Sequence, residues 1–344
     1  MPSLRPDKLI DAMIPVSTGW LLAACMEARG KQDLWTRRKP EVLQALREQA
    51  VVQSAESSNR IEGVTVAPDR LRPIVLGRSR PRDCSEEEVV GYRRALNWIF
   101  TKKGPIPVEP RTILHIHKLA QGGFSGDAGK WKRRDNEIVE LLSGGERRVR
   151  FVPTPARETP GAIERLCAAY HDLIEVEQVP SLLVVATFVL DFLCVHPFRD
   201  GNGRVSRLLT TLLLQNRGFA VARYVSLERL VEETKEDYYR ILEECSVGWH
   251  KGANDMAPWW NYFLSTLRRA YTEFERQVEA SDPRTGKGDL VRQAVEGQVG
   301  AFTLAELKAL CPSVSVQLIK KVLTKMKREG KIGLTGRGAK WENT

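Results

Sequence analysis

Apolar residues recur every three or four positions along most of this chain, and the rhythm breaks where Gly, Pro or small polar residues cluster. From about residue 34 to 62, TRRKPEVLQALREQAVVQSAESSNRIEG keeps helical spacing with few breakers before Gly63, which predicts one helix. Ser85 and Glu88 form a capping-box pattern ahead of EEVVGYRRALNWIF, a second helix. Pro107–Pro110 breaks the chain, and RTILHIHKLAQGG follows as a helix ending at Gly122-Gly123. The pattern then turns to extended runs at Glu137–Leu142 and Arg147–Val152 around Ser-Gly-Gly-Glu, which reads as a β-hairpin. Helical spacing returns at Gly161–Ile174 and in two apolar stretches, SLLVVATFVLDFLCV and VSRLLTTLLLQNRG. Tyr238–Cys245 and Pro258–Glu279 complete a mostly helical body, and the breaker-rich SDPRTGKGD (281–289) reads as a linker.

The segment beyond it has its own order. Thr303 to Glu306 is a capping box opening a short helix. Pro312-Ser313 starts the next, with Val316, Ile319, Leu323 and Met326 on one face and Lys320, Lys321, Lys325, Lys327 and Arg328 outside. Gly330 ends it, and Lys331–Trp341 alternates like a hairpin around Gly336–Gly338. Helix, turn, helix and basic hairpin resemble a winged helix-turn-helix, which implies DNA as a partner, with a protein-binding winged helix as the other reading. Charge favours nucleic acid. Of the formal +10, residues 283–344 carry +7 from 12 Lys/Arg against 5 Asp/Glu, leaving +3 for the other residues.

Composition excludes more than it selects. At 344 residues and 42% apolar content the chain suits two or three domains with substantial cores. Six cysteines lie without paired spacing and no histidine cluster accompanies them, so they read as reduced core residues of a cytoplasmic protein and not as a zinc site. The first residues lack a signal pattern, and the run Leu182–Leu190 is too short to span a bilayer, so no membrane partner is expected.

The densest chemistry lies in the twelve residues His196 to Arg207, HPFRDGNGRVSR, between the two apolar stretches. A helix that starts at Gly201-Asn202-Gly203 directs free backbone N–H groups and its positive dipole end at whatever sits in the loop. Asp200 can hold Mg²⁺, which binds through one or two carboxylates plus phosphate oxygens. Arg204 and Arg207 lie three apart and can face one polyphosphate. The segment reads as a nucleotide-phosphate cradle with an imidazole beside it.

HPFRDGNGRVSR resembles the signature of Fic (Fido) proteins, with every fixed position filled, and looser likeness runs over roughly 85–265. The resemblance implies a mainly α fold, a Fic-type helical bundle with one β-hairpin flap, here followed by the small C-terminal winged helix-turn-helix domain. The implied organisation is an N-terminal helical region (1–84), a Fic catalytic domain (85–280), the linker (281–289) and the winged-helix domain (290–344). It implies a nucleotidyltransferase that moves AMP from ATP, with Mg²⁺, onto a Ser, Thr or Tyr hydroxyl of a protein target or of itself. In that scheme His196 is the general base, Asp200 holds the metal, Gly201, Asn202, Gly203, Arg204 and Arg207 bind the nucleotide phosphates, and Asn202 gives its amide to the α-phosphate. The hairpin becomes a flap that takes a target segment by strand addition through Arg147, Val149 and Phe151. Tyr238 or Tyr239 is offered to adenine, with a core role as the alternative for each. Pro153-Thr154-Pro155 departs from the proline-rich run that often follows this hairpin, which bears on the target more than on the reaction.

Ser58-Asn59-Arg60-Ile61-Glu62-Gly63 fits Ser/Thr-x-x-x-Glu-Gly/Asn, the pattern of an inhibitory helix in the same family. The resemblance implies that Glu62, with Ser58 and Gly63 beside it, pairs with Arg207 and withholds it from the γ-phosphate. The same glutamate could direct water at an AMP-modified target and remove AMP, and a homodimer is implied as a form that controls the brake in some relatives. The alternative reading is a DNA-binding transcriptional regulator whose Fic-like body senses nucleotide without transferring it.

Overall fold

The computed structural model describes residues 1–36, 40–122, 126–141, 146–280, 287–298, 300–311, 314–335 and 340–343. Within them the chain forms α1 (Pro6–Ile10), α2 (Val16–Thr36), α3 (Pro40–Ile61), α4 (Pro68–Val75), α5 (Cys84–Thr101) and α6 (Pro110–Ala120). The hairpin β1 (Ile138–Leu141) and β2 (Arg147–Phe151) comes next. It is followed by α7 (Thr159–Val176), α8 (Ser181–Val195), α9 (Asn202–Asn216), α10 (Leu227–Glu232), α11 (Lys235–Ser246) and α12 (Ala257–Ala280). The C-terminal part contains α13 (Lys287–Glu296), β3 (Phe302–Thr303), α14 (Leu304–Leu310), α15 (Val316–Arg328), β4 (Ile332–Thr335) and β5 (Lys340–Asn343).

The body is built around α8. Thirteen of its fifteen residues are buried, and each large apolar side chain so removed from water contributes about 1.5–3 kcal/mol before the loss of entropy. Helices α7, α9 and α12 pack on it. Asp191, in the middle of this helix and fully buried, accepts hydrogen bonds from the backbone of Ser3 (3.3 Å) and Leu4 (2.9 Å) and from the Trp249 indole (2.5 Å). It thereby ties the chain's start and the turn after α11 to the central helix. No helix among the described residues is long and apolar enough to cross a membrane.

Several expectations from spacing are revised. Of the helix read over 34–62, residues 34–36 close α2 and Pro40–Ile61 form α3, while 37–39 lie outside the described residues. Helix α5 is capped by Asp83, which accepts from the Glu86 backbone at 2.8 Å, so Ser85 and Glu88 do not form the capping box. The hairpin lies where alternation placed it, paired antiparallel with a bulge between Ile138 and Val139; its turn at 142–145 is outside the described residues. All six cysteines are free, five buried and Cys84 exposed.

The C-terminal part has a second, separate core around Val291, Phe302, Leu307, Ile319, Leu323, Met326 and Ile332. Its three strands form an antiparallel sheet in the order β3-β5-β4. The Thr303–Glu306 capping box is present. The next helix is capped by Ser315, and the start read at Pro312-Ser313 falls outside the described residues. Val316 is 41% exposed, and Val322 takes the core position assigned to it. The linker read at 281–289 is shortened from its far end, because α13 already includes 287–289; residues 281–286, like the wing turn at 336–339, lie outside the described residues. This part meets the body through a buried contact of Arg72 with Gln298 and an Arg78–Glu306 ion pair at 2.8 Å.

Candidate active site

The site is made where α8 stops and α9 starts. His196 caps α8 in the left-handed region (φ 50°), one of two described non-glycine residues with positive φ. That turn bends the chain sharply off the helix and leaves the imidazole half-buried at the mouth of a cavity. Its Nδ1 lies 3.3 Å from the Leu193 carbonyl, so the proton sits on Nδ1 and the Nε2 lone pair is free. Burial, above all, lowers its pKa to about 4; the Leu193 carbonyl opposes this and the nearby Lys132 adds to it. The imidazole is therefore neutral at neutral pH.

The loop that follows is closed by its own side chains. Asn202 accepts from the Phe198 N–H (2.9 Å) and donates to the Phe198 carbonyl (2.8 Å), and it is buried. Its amide oxygen and one of its two amide N–H groups are thus engaged within the loop, and Asn202 shapes the cradle. Phe198 is fully buried and stacks on His117, with centroids 3.7 Å apart. Lys132 and Asn136 brace the loop from the hairpin side: Asn136 donates to the Phe198 carbonyl, and Lys132 reaches Asn136 and the Val195 carbonyl.

The two glycines are required for different reasons. Gly201 has φ +82°, and a Cβ there would press on the Gln121 amide. A Cβ on Gly203 would overlap the carboxylate of Glu62, which lies over the N-terminus of α9. A carboxylate thus occupies the position where backbone N–H groups and helix dipole favour an anion. Glu62 Oε1 is 2.7 Å from Arg207 Nη2, while Ser58 accepts from the same guanidinium through its hydroxyl (2.8 Å) and its carbonyl (2.9 Å). Arg207 Nη1 is buried without a partner. Gly63, at φ +83°, turns the chain immediately after Glu62, and a Cβ added there would meet nothing within 4 Å.

Glu62, His196, Gly203, Arg207, Tyr238 and Tyr239 line one cavity of about 400 Å³, with Val139, Phe151 and Leu242 among its apolar walls. Tyr238 is buried against Trp259 and Tyr262, whereas Tyr239 is half-buried and opens on the cavity. Of the hairpin residues singled out, Phe151 reaches this cavity; Arg147 and Val149 are exposed and do not line it. Arg204 and Asp200 do not line it either. Arg204 is buried behind the loop, paired with Glu88 at 2.6 Å and Asp200 at 3.2 Å, so its expected phosphate contact is not preformed. Among the described residues no group of three or more His, Cys, Asp or Glu is placed to hold a metal ion. Asp200 is exposed and borders a recess shared with Glu88 and Asp127, an oxygen-donor setting that fits Mg²⁺.

Sequence reasoning missed the long-range partners. Arg148 and Arg150 on β2 both pair with Glu243 on α11, at 2.8 and 2.6 Å, and fix the hairpin over the cavity. Alternating Arg at 148 and 150 was the available signal, but nothing local named its acid.

Residues 107–214, which include the whole signature, match the Fic/DOC family. The protein adenylyltransferase Fic of Nematostella vectensis is 26% identical over 214 residues, covering 58% of this chain and 44% of that protein. The protein adenylyltransferase fic-1 of Caenorhabditis elegans is 25% identical over 266 residues, covering 72% and 46%. The chain thus spans less than half the length of these curated relatives. A crystal structure of a Fic family protein from Desulfovibrio desulfuricans G20 superposes with a TM-score of 0.62 over 97% of both chains at 21% identity, a likeness of fold. Together these show a likeness to Fic/DOC proteins that is centred on the signature and extends to the fold.

Proposed function

We propose that this protein is an autoinhibited protein adenylyltransferase, transferring AMP from ATP to a hydroxyl of a protein target or of itself. The observation that carries this reading is Glu62 lying over Gly203 and against Arg207 inside a cavity walled by His196 and Tyr239. An anion site is present, and the chain's own carboxylate fills it.

The step follows from these positions. A target hydroxyl oxygen attacks the α-phosphorus in line with the bond to the β-phosphate. The O–P bond forms, the Pα–O bond to pyrophosphate breaks, and the hydroxyl proton passes to Nε2 of His196. Arg207, once released from Glu62, holds the terminal phosphates, and the N–H groups at the start of α9 hold charge that develops on the transferred group. Mg²⁺ on Asp200 would offset charge on the leaving pyrophosphate. The half-buried Tyr239, with Leu242 and Val139, forms the apolar slot for adenine, and the hairpin edge pairs with the target segment. Removal of AMP with Glu62 directing water, and control of the brake by a homodimer, are further parts of this reading.

The test is labelling with α-³²P-ATP and Mg²⁺. A charge-assisted bond such as Glu62–Arg207 contributes about 1.5–3 kcal/mol, so Glu62→Gly is expected to raise the initial rate of protein labelling by about 10–100-fold. An unchanged rate in Glu62→Gly, with host lysate supplied as target, would remove the brake from the proposal.

The C-terminal part supports a second activity beside the first. Three helices and a three-stranded antiparallel sheet in the order β3-β5-β4 support a winged-helix reading, and Lys320, Lys321, Lys325, Lys327 and Arg328 on α15 are all exposed. We infer binding of duplex DNA through this face. Anisotropy with a labelled duplex is expected to show affinity falling with salt at a log–log slope of about −3 or steeper, flattened by Lys320→Glu/Lys321→Glu. Salt-independent binding, or none, leaves a protein-interaction module.

A further inference from the structure

Glu88 stands on α5 and reaches the back of the signature loop. Its Oε2 lies 2.6 Å from Arg204 Nη1, and the other end of the same fork gives Nη2 to Asp200 Oδ2 at 3.2 Å. The two acids are unequally placed: the Glu88 side chain is 23% exposed and Asp200 68%. Arg204 itself is buried, and its Nε has no partner. Glu88 does not line the nucleotide cavity that Glu62 blocks; with Asp200 it borders a separate recess of about 250 Å³. It therefore does not obstruct the cavity as Glu62 does.

We propose that Glu88 is a positioning residue that, by holding the charge of Arg204, leaves Asp200 free to take a divalent cation; this rests on the AMP-transfer reading. A buried guanidinium needs an anionic partner, because a stranded charge in a poorly polarisable interior is strongly disfavoured. With Glu88 present, Asp200 can leave Arg204 for a cation and the guanidinium keeps its shorter, more buried pair. With a neutral amide at position 88, Asp200 becomes the one carboxylate on Arg204, and drawing it onto a cation strands the guanidinium. Cation affinity then falls through the demand of Arg204 on Asp200. Such outer partners of metal ligands alter affinity by about 10–100-fold.

The experiment uses the full chain carrying Glu62→Gly, with Mn²⁺ and α,β-methylene-ATP as probes. Bound Mn²⁺ is read by electron paramagnetic resonance, and nucleotide affinity without metal by calorimetry in EDTA. Glu88→Gln is expected to weaken Mn²⁺ binding about tenfold and leave metal-free nucleotide affinity unchanged or slightly tighter. Glu88→Asp keeps the charge and should hold Mn²⁺ close to the parent, which covers the case in which the glutamine variant folds poorly. Asp200→Asn removes the tight Mn²⁺ site, and adding Glu88→Gln to it should cause no further loss. Unchanged Mn²⁺ binding in Glu88→Gln overturns the inference, as does equal weakening of nucleotide and metal. A Glu88 effect that persists beside Asp200→Asn also overturns it, since that would be a field effect and not positioning. If the Glu62→Gly parent binds no nucleotide at all, the AMP-transfer reading falls and takes this inference with it.

Discussion

Replacing His196 with Ala in the Glu62→Gly chain is expected to slow AMP transfer by about 10²–10⁴-fold, the usual contribution of a positioned general base, with affinity for a non-hydrolysable ATP analogue near the parent's. The split between rate and affinity follows from placement. Phosphate affinity comes from the start of α9 and from Arg207, and neither depends on the imidazole for its orientation. The pH profile is the sharper check. Burial holds the His196 pKa near 4, and Glu62 is one of the groups that raises it, so deleting Glu62 lowers it further. The base works as neutral imidazole, hence transfer by the Glu62→Gly chain should be flat through neutral pH and decline only as pH falls toward about 4. A decline centred near the ordinary histidine value would show that the working imidazole is solvated. Undiminished transfer by the His196→Ala variant would remove it from the chemistry.

What could be read from the chain, and what could not, divides along sequence distance. The signature is legible because the helix end, the left-handed turn at His196, the glycines and the new helix are contiguous, so their geometry follows from local rules. The Glu62–Arg207 pair spans 145 residues, and it was legible only because both members sit in recognisable patterns. Glu88 shows the opposite case. Asp83 to Glu86 and Ser85 to Glu88 are capping patterns two residues apart, and nothing local chooses between them. The choice is made by Arg204, whose buried charge takes Glu88 as partner and leaves Asp83 to cap the helix. Asn202 was read incompletely for a related reason. An amide in an anion loop suggests a donor to the ligand, and the turn that follows His196 also takes its oxygen and one of its two N–H groups for closure. Helix α2 was missed because its apolar residues do not form one stripe: Trp20 and Leu34 are exposed, while Cys25 and Trp35 are buried.

Asp191→Ala is expected to destabilise the protein by about 3–5 kcal/mol, because it leaves two backbone N–H groups and one indole N–H buried without an acceptor, each costing about 1–3 kcal/mol. That is a large part of the 5–15 kcal/mol by which a domain is ordinarily stable. The carboxylate joins three remote pieces of chain: α8, residues 3 and 4, and Trp249. Asp191→Asn should cost less, since its carbonyl oxygen still accepts from Leu4 while its amide faces the indole donor. Urea unfolding reads the size of the effect, and limited proteolysis reads its location: cleavage within the first fifteen residues should precede loss of the body, because this acid and Lys8 on the Gly252 and Asn254 carbonyls are polar ties of that segment to the body, beside the buried Leu4 and Leu9. His196 lies five residues further on and contacts none of these groups, so transfer by the folded fraction should match the parent's. An unfolding midpoint equal to wild type would show that water replaces the carboxylate, and the strap would then have no structural role.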